Sequence, residues 1–335
     1  MSLMIVTDSW TKDKDGEVGP LNGPTYYLLK ACLSQVGIAI GECDKAVVFD
    51  FYSPGGLKNL CGPKTEGIPG WPALIKGKFV NAKYTSELDR LFTEIQNVNP
   101  TLILAMGYAA VWALCKTTSV KSIRGAPVPF TWGGSRVFKV LPTYGADSII
   151  REWKLRPILL SDLQKAREQM DFPQIIRPSR EIWIEPTLAD LDTFEREHIL
   201  PSPQLSIDIE TSGDQITCIG FAPRKDIALV VPFTDAENTS HSYWPTLTDE
   251  LKALQWVRRM CSLKKSIIGQ NFLYDLNHLW TKYGITVPNA SEDTMLLHHA
   301  LQPEMQKGLG FLGSIYTNEP PWKVMRKAET IKRED

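Results

Sequence analysis

Histidine is missing from the first 197 of the chain's 335 residues. All five (His198, His241, His278, His298 and His299) lie in the second half. That removes histidine acid–base chemistry and histidine metal sites from the N-terminal half. The six cysteines (Cys32, Cys43, Cys61, Cys115, Cys218 and Cys261) are scattered without a C-x-x-C pair, so reduced, mostly buried thiols are expected. A formal net charge of −1 provides no global basic field, and any contact with nucleic acid has to come from a local patch or through metal ions. No apolar stretch approaches membrane-spanning length, and Met1–Thr7 runs straight into Asp8, too short for the apolar core of a signal peptide. A soluble cytoplasmic protein that does not contact membrane is expected. Repeats and low-complexity runs are also missing. Hydrophobic content of 43% and charged content of 22% describe globular protein, and the length suits two domains.

What is there centres on Leu205-Ser-Ile-Asp-Ile-Glu-Thr-Ser212. In a strand, residues two apart share a face, so Asp208 and Glu210 project together while Ile207 and Ile209 face the core. Paired carboxylates at a strand end are hard oxygen donors suited to a divalent cation. About sixty residues on, Gln270-Asn-Phe-Leu-Tyr-Asp275 opens a helix-patterned segment that brings a third carboxylate, Asp275. Three such groups meet the need of a two-metal phosphodiester-cleaving centre. Alone, a D-x-E pair is common on solvated strand ends and Asp275 would read as a cap. The order carries the reading: the D-I-E-T strand, two β-rich runs (Ile216–Phe221 and Ile227–Pro232), a helix over 248–263, the short strand Ser266–Gly269, then N-x-x-x-D.

That order matches an RNase H-like nuclease sheet, and the segment resembles the DnaQ-like proofreading 3′–5′ exonuclease domain of family-A, phage-type DNA polymerases. The resemblance implies Mg²⁺ or Mn²⁺ as cofactor and a single-stranded or frayed DNA 3′ end as substrate. Asp208 would bridge both metals, Glu210 would bind one and align water, and Asp275 would bind the second. Asn271, spaced i, i+4 from Asp275 and so expected on the same helix face, would orient a ligand or the substrate strand, with Thr211 as a further substrate contact. Asp293, in a D-T-x-L helix, is expected to be a cap, and His298 and His299 to be core or solvated. Gln306–Tyr316 resembles the helix before the family's third motif, whose Y-x-x-x-D supplies a last aspartate. Here Tyr316 is followed by Glu319 and Pro320 instead. The charged stretch Arg326–Asp335 reads as a frayed helix or tail.

The N-terminal half alternates strands (Leu3–Val6, Lys45–Phe49, Thr101–Ala105, Val137–Leu141) with helices (24–36, 87–98, one ending near Leu114, one from Ser161). A parallel sheet covered on both faces follows. Its loops resemble the uracil-DNA glycosylase superfamily, closest to the family 4 type, implying a three-layer α/β/α domain. The matching segments are Gly19-Pro-Leu-Asn-Gly-Pro24, Pro100–Ala110, Arg124-Gly125, Trp132 and Leu141-Pro-Thr-Tyr144. Gly145 stands where the family has its histidine, the water-positioning loop is at best Thr7-Asp8-Ser9-Trp10, and the uracil-reading asparagine and the iron–sulfur cysteines have no counterpart. Cleaving an N-glycosidic bond needs pre-set groups for the departing base, so no glycosylase activity is expected. Lys116, Lys121, Arg124 and Arg136, with Trp10, Trp71, Trp112 and Trp132, are a weak candidate DNA-binding set, the plainer reading being ordinary packing and a solvated face.

The expected organisation is a glycosylase-like domain over 1–172 and an exonuclease domain over 173–335. The expected function is the N-terminal part of a DNA polymerase, a 3′–5′ proofreading exonuclease, with a separate polymerase domain or subunit as a further candidate partner. Either the chain is a fragment or it belongs to a split polymerase. The rival reading is a non-catalytic DNA-binding or docking subunit of a phage-like replication complex. An active uracil glycosylase is a third.

Overall fold

A computed structural model of the chain describes residues 2–133, 136–238 and 241–320. The Arg326–Asp335 tail lies outside the described residues. The chain divides into two units. One runs to Arg177 and includes the segment beginning at Gly310, and the other is Pro178–Leu309. The division therefore falls a few residues beyond 172, and the 310s segment, expected in the second domain, belongs to the first.

In chain order the first unit contains β1 (Leu3–Ser9), the short pair β2 (Thr11–Lys12) and β3 (Val18–Gly19), α1 (Pro24–Gln35) and β4 (Asp44–Phe49). Then come a second short pair, β5 (Cys61–Gly62) and β6 (Phe79–Val80), α2 (Thr85–Val98), β7 (Leu102–Met106), α3 (Tyr108–Cys115), α4 (Val120–Ile123), β8 (Val128–Thr131), β9 (Val137–Thr143), α5 (Ala146–Arg151) and α6 (Arg156–Gln169). The main sheet has the order β4-β1-β7-β9-β8. Alternation along β1 explains the layers. Met4 and Val6 join Leu88, Phe92 and Trp112 on one face, whereas Leu3 and Ile5 join Leu29, Leu33 and Leu159 on the other. Strand β7 is buried along its whole length, as a central parallel strand must be. Each large apolar side chain so buried contributes about 1.5–3 kcal/mol. One strand departs from the expected parallel sheet: β8 pairs antiparallel with β9. It lies at the sheet edge, where Pro129 costs no ladder hydrogen bond.

The second unit contains β10 (Glu181–Trp183), α7 (Leu188–Phe194), β11 (Gln204–Ser212), β12 (Gln215–Arg224), β13 (Ile227–Pro232), α8 (Leu247–Cys261), β14 (Ser266–Gly269), α9 (Leu273–Tyr283), β15 (Ala290–Asp293) and α10 (Thr294–Leu301). Its sheet has the order β10-β13-β12-β11-β14-β15. Strands β11, β12 and β13 form an antiparallel meander, and β14 returns parallel to β11. Helix α7 starts on a reciprocal capping box between Thr187 and Asp190. Ile207 and Ile209 point into a core with Phe221, Leu229, Trp256 and Val257.

Helix α11 (Leu309–Tyr316) is held to the first unit by polar anchors. Arg124 Nη1 donates to Ser314 Oγ (2.8 Å), and Lys165 Nζ donates to Ser314 O (2.7 Å) and Thr317 O (2.5 Å). No helix among the described residues is long and apolar enough to cross a membrane.

Candidate metal centre and a second carboxylate cleft

Asp208 and Glu210 leave the same, exposed face of β11, while the alternating Ile207 and Ile209 are buried. Cross-strand partners define their surroundings. Asp208 stands opposite Gly220, and Glu210 stands opposite Cys218. Glycine leaves the space beside Asp208 open: a Cβ at Gly220 would meet only the Asp208 carbonyl, at 3.7 Å.

Asp275 reaches this strand from the first turn of α9. It is buried, with 3% of its surface exposed, and its Oδ1 accepts the Ile209 N–H at 2.9 Å. The third carboxylate is thus bonded to the backbone between the other two. Desolvation first, and the charge of Glu210 second, raise the Asp208 pKa. Desolvation raises that of Asp275 to about 6, the Ile209 hydrogen bond opposing and the Asp208 charge reinforcing it. The Cys218 thiol is pushed up as well, by burial and then by Glu210. Among the described residues no lysine or arginine forms an ion pair with any of the three carboxylates.

An unneutralised all-oxygen set of this kind suits a hard divalent cation. Among the described residues, however, no group of three or more His, Cys, Asp or Glu side chains is gathered closely enough to hold an ion. The two observations are compatible for Mg²⁺, which commonly takes one or two carboxylates and completes its shell with water and substrate phosphate.

Asn271 is placed differently from the expectation. Helix α9 begins at Leu273, and Asn271 precedes it in a left-handed conformation (φ 54°), so the i, i+4 helix-face argument does not apply. Asp293 holds this turn. Its carboxylate accepts the N–H groups of Asn271 (3.0 Å) and Phe272 (2.8 Å) as well as that of Met295 (2.8 Å), at the start of α10. The expected cap is therefore a double one. Residues 290–293 form β15, and α10 begins immediately after it at Thr294. Thr211 Oγ1 lies 2.8 Å from the Tyr274 hydroxyl, a contact that sequence reasoning missed. His298 is buried, with its pKa lowered by desolvation, and His299 is exposed.

The first unit also carries a cleft, of about 400 Å³, at the carboxyl ends of β1, β7 and β9. Strand order reverses between β1 and β7, the position where open α/β sheets bind ligands. Asp8 lines the cleft, and its Oδ1 accepts the N–H groups of Ala109 (2.8 Å) and Ala110 (3.0 Å) at the start of α3. Desolvation nevertheless raises its pKa to about 7, with Asp147 adding to the rise. Gly107 is required here: at φ 104°, its Cβ would fall 2.6 Å from Asp8 Oδ1. The Thr7 hydroxyl is buried without a partner. Sequence reasoning missed Asp8 as a half-buried acid held by main-chain donors. The available signal was an acid two residues after the apolar run Leu3–Val6, with a second apolar strand followed at once by Gly107.

The weak DNA-contact set separates. Arg124 is 2% exposed, donates from Nε to Asp162 Oδ2 at 2.8 Å and pairs through Nη2 with Asp162 Oδ1, so it is a buried packing cation unavailable to a ligand. Lys121 and Arg136 are exposed. Trp112 is fully buried, and Trp71 and Trp132 pack around Phe92.

No protein-family model matches the chain, and no curated protein does. Part of it is similar to crystal structures of the EXD2 exonuclease domain. The form soaked in Mg has 16% identity and a TM-score of 0.27, over 36% of this chain and 58% of that one. The form soaked in Mg and dGMP has 14% identity and a TM-score of 0.27, over 44% and 84%. The chain thus spans little more than half of the first of these. Likeness at this level says nothing about activity.

Proposed function

We propose that the second unit is a divalent-metal phosphodiesterase of the 3′–5′ exonuclease type, acting on single-stranded or frayed DNA 3′ ends. The observation that carries this reading is the Ile209 N–H to Asp275 Oδ1 hydrogen bond, which ties the third carboxylate to the D-x-E strand. The strand order supports it too. Counted from β11, the sheet reads 3-2-1-4-5 with the second strand antiparallel, the arrangement of the RNase H-like resemblance.

Asp208, Glu210 and Asp275 would hold Mg²⁺ or Mn²⁺. When bound, the metal supplies an activated water and charge stabilisation for the leaving 3′-oxygen. The chain's own residues do the positioning. The buried Asp275 fixes the distance between α9 and β11, and Gly220 leaves room for a phosphate beside Asp208. Thr211 and Tyr274 pair their hydroxyls at the end of β11, and Asn271 offers an amide from the turn that Asp293 holds. Membership of a DNA polymerase, as a proofreading module or as half of a split enzyme, is part of the same proposal.

The first unit is proposed as a glycosylase-like domain without glycosylase activity. At Gly145, a Cβ would fall 2.5 Å from Asp147 Oδ1 and 3.3 Å from Gly107 Cα, which supports a position closed to a histidine. Incubation of 5′-labelled single-stranded DNA with Mn²⁺ or Mg²⁺ tests the nuclease reading. Shortening from the 3′ end that Asp208→Ala removes is expected. Degradation that needs no metal, or that survives Asp208→Ala, would contradict it. DNA binding without hydrolysis would favour the docking-subunit reading.

A further inference from the structure

From Ile95 to Ala146 the chain contains no Asp or Glu, yet carries Lys116, Lys121, Arg124, Arg136 and Lys139. Asp162 neutralises Arg124. Lys139 is different: it is 1% exposed, and its ammonium is hydrogen-bonded to neutral oxygens. Its ammonium donates to Gln169 Oε1 (3.3 Å), to the Phe172 carbonyl and to the Gln174 carbonyl (3.1 Å), and lies 3.8 Å from the Phe172 ring centroid. The lysine thereby clamps the connector after α6 onto β9, and its charge has no counter-ion among these contacts. Burial lowers its pKa to about 8, which leaves it mostly charged at neutral pH.

The clamp forms one wall of an open cleft of about 760 Å³, within the first unit, whose rim carries Arg136 and Arg177 and whose lining has no acid. Both arginines are exposed. Arg136 lies over the Phe138 ring at 5.0 Å, and Arg177 donates to the Pro127 carbonyl at 3.3 Å, so each is partly ordered before any ligand arrives. A concave surface with three cations, one fixed and two tethered, attracts phosphate oxygens, and arginine engages them in pairs.

We infer that this cleft binds the phosphate backbone of a single nucleic-acid strand, with Arg136 and Arg177 as the contacting residues and Lys139 as the fixed charge behind them. The surface lies away from the Asp8 cleft in sequence and lining, and it does not depend on hydrolysis by the second unit.

The test is anisotropy of a fluorescein-labelled oligothymidylate with the full chain in an Asp208→Ala background, so a failed nuclease reading leaves it intact. Adding Arg136→Gln and Arg177→Gln should weaken binding about tenfold and flatten the slope of log affinity against log salt by about 1.4, the single-strand value for two phosphates. If that variant unfolds, Arg136→Gln alone should lose about threefold and 0.7 of slope. Lys14→Gln with Lys30→Gln removes the same charge elsewhere on the unit and should change little. Equal losses in this control would mean diffuse attraction and overturn the site, as would unchanged affinity in the arginine variant. Displacement of the DNA by low-millimolar inorganic phosphate would mark a small-anion pocket and overturn the strand assignment.

Discussion

Both units set a carboxylate against backbone N–H groups beside an interior strand, and the two sites differ in what surrounds it. Asp8 receives two amides from a helix start, and its acidic neighbour Asp147 is already paired with Arg151 at 2.7 Å. Asp275 receives one amide and feels the charge of Asp208, and among the described residues no lysine or arginine forms an ion pair with it. The same device, an acid held by main-chain donors, yields a solitary acid in one place and a loose cluster of acids in the other, open enough that, among the described residues, no three meet as a ready-made ion site. Only the cluster calls for a counter-ion, and that is why the proposed chemistry is assigned to the second unit.

The comparison breaks most sharply on activity. Asp208→Ala should reduce any metal-dependent shortening of DNA on the order of a thousandfold, the scale of losing a group that supports the transition state. Asp8→Asn should leave the rate on single-stranded DNA unchanged in a gel-based assay.

Next comes the buried pair in the first unit. Arg124→Ala strands Asp162 and leaves Ser314 without its donor, at a cost of about 3–5 kcal/mol, readable as a fall in the urea midpoint.

The pH dependence sharpens the contrast. Asp8 and Asp275 both have raised folded-state pKa values, so the stability they contribute is full below the unfolded value of 3.8 and is lost as pH rises toward the folded one. Replacement by Asn, which keeps an acceptor for the N–H donors, should therefore stabilise progressively above pH 4. The gain for Asp275→Asn should level off near pH 6 at about 1–3 kcal/mol, and that for Asp8→Asn near pH 7 at about 2–4 kcal/mol. Urea midpoints at pH 4, 6 and 8 separate the two plateaus. At pH 8, Mg²⁺ should raise the melting temperature of the parent chain, and the rise should vanish in Asp208→Asn with Glu210→Gln.

The smallest effect is a positioning one. Asp293→Ala removes the acceptor for three N–H groups and should cost about 1–2 kcal/mol, with a lower rate at saturating DNA.

Residues whose placement follows from local periodicity were legible in the sequence. Strand alternation alone puts Asp208 and Glu210 on one side, and β13 and β14 fall where their apolar runs lie. Asp275 falls on the helix its periodicity announced, but the placement of Asn271 was not legible, since a left-handed turn has no periodic signature and this one depends on Asp293, 22 residues away. Arg124 looked like a surface cation because nothing near it in the chain announces Asp162, 38 residues on. The short antiparallel β8 was hidden by its proline. The docking of α11 rests on Arg124 and Lys165, partners about 150 to 190 residues distant, and no local pattern encodes it.

That docking has a practical corollary for anyone cutting the chain. A protease nick in the exposed connector around Ile176 would sever the backbone, yet Ser314 and Thr317 would still be gripped by Arg124 and Lys165. The nicked halves should therefore migrate together until a denaturant loosens that grip. A recombinant fragment starting at residue 173 would instead lack Arg124 and Lys165, the two side chains that hold Ser314 and Thr317 in place.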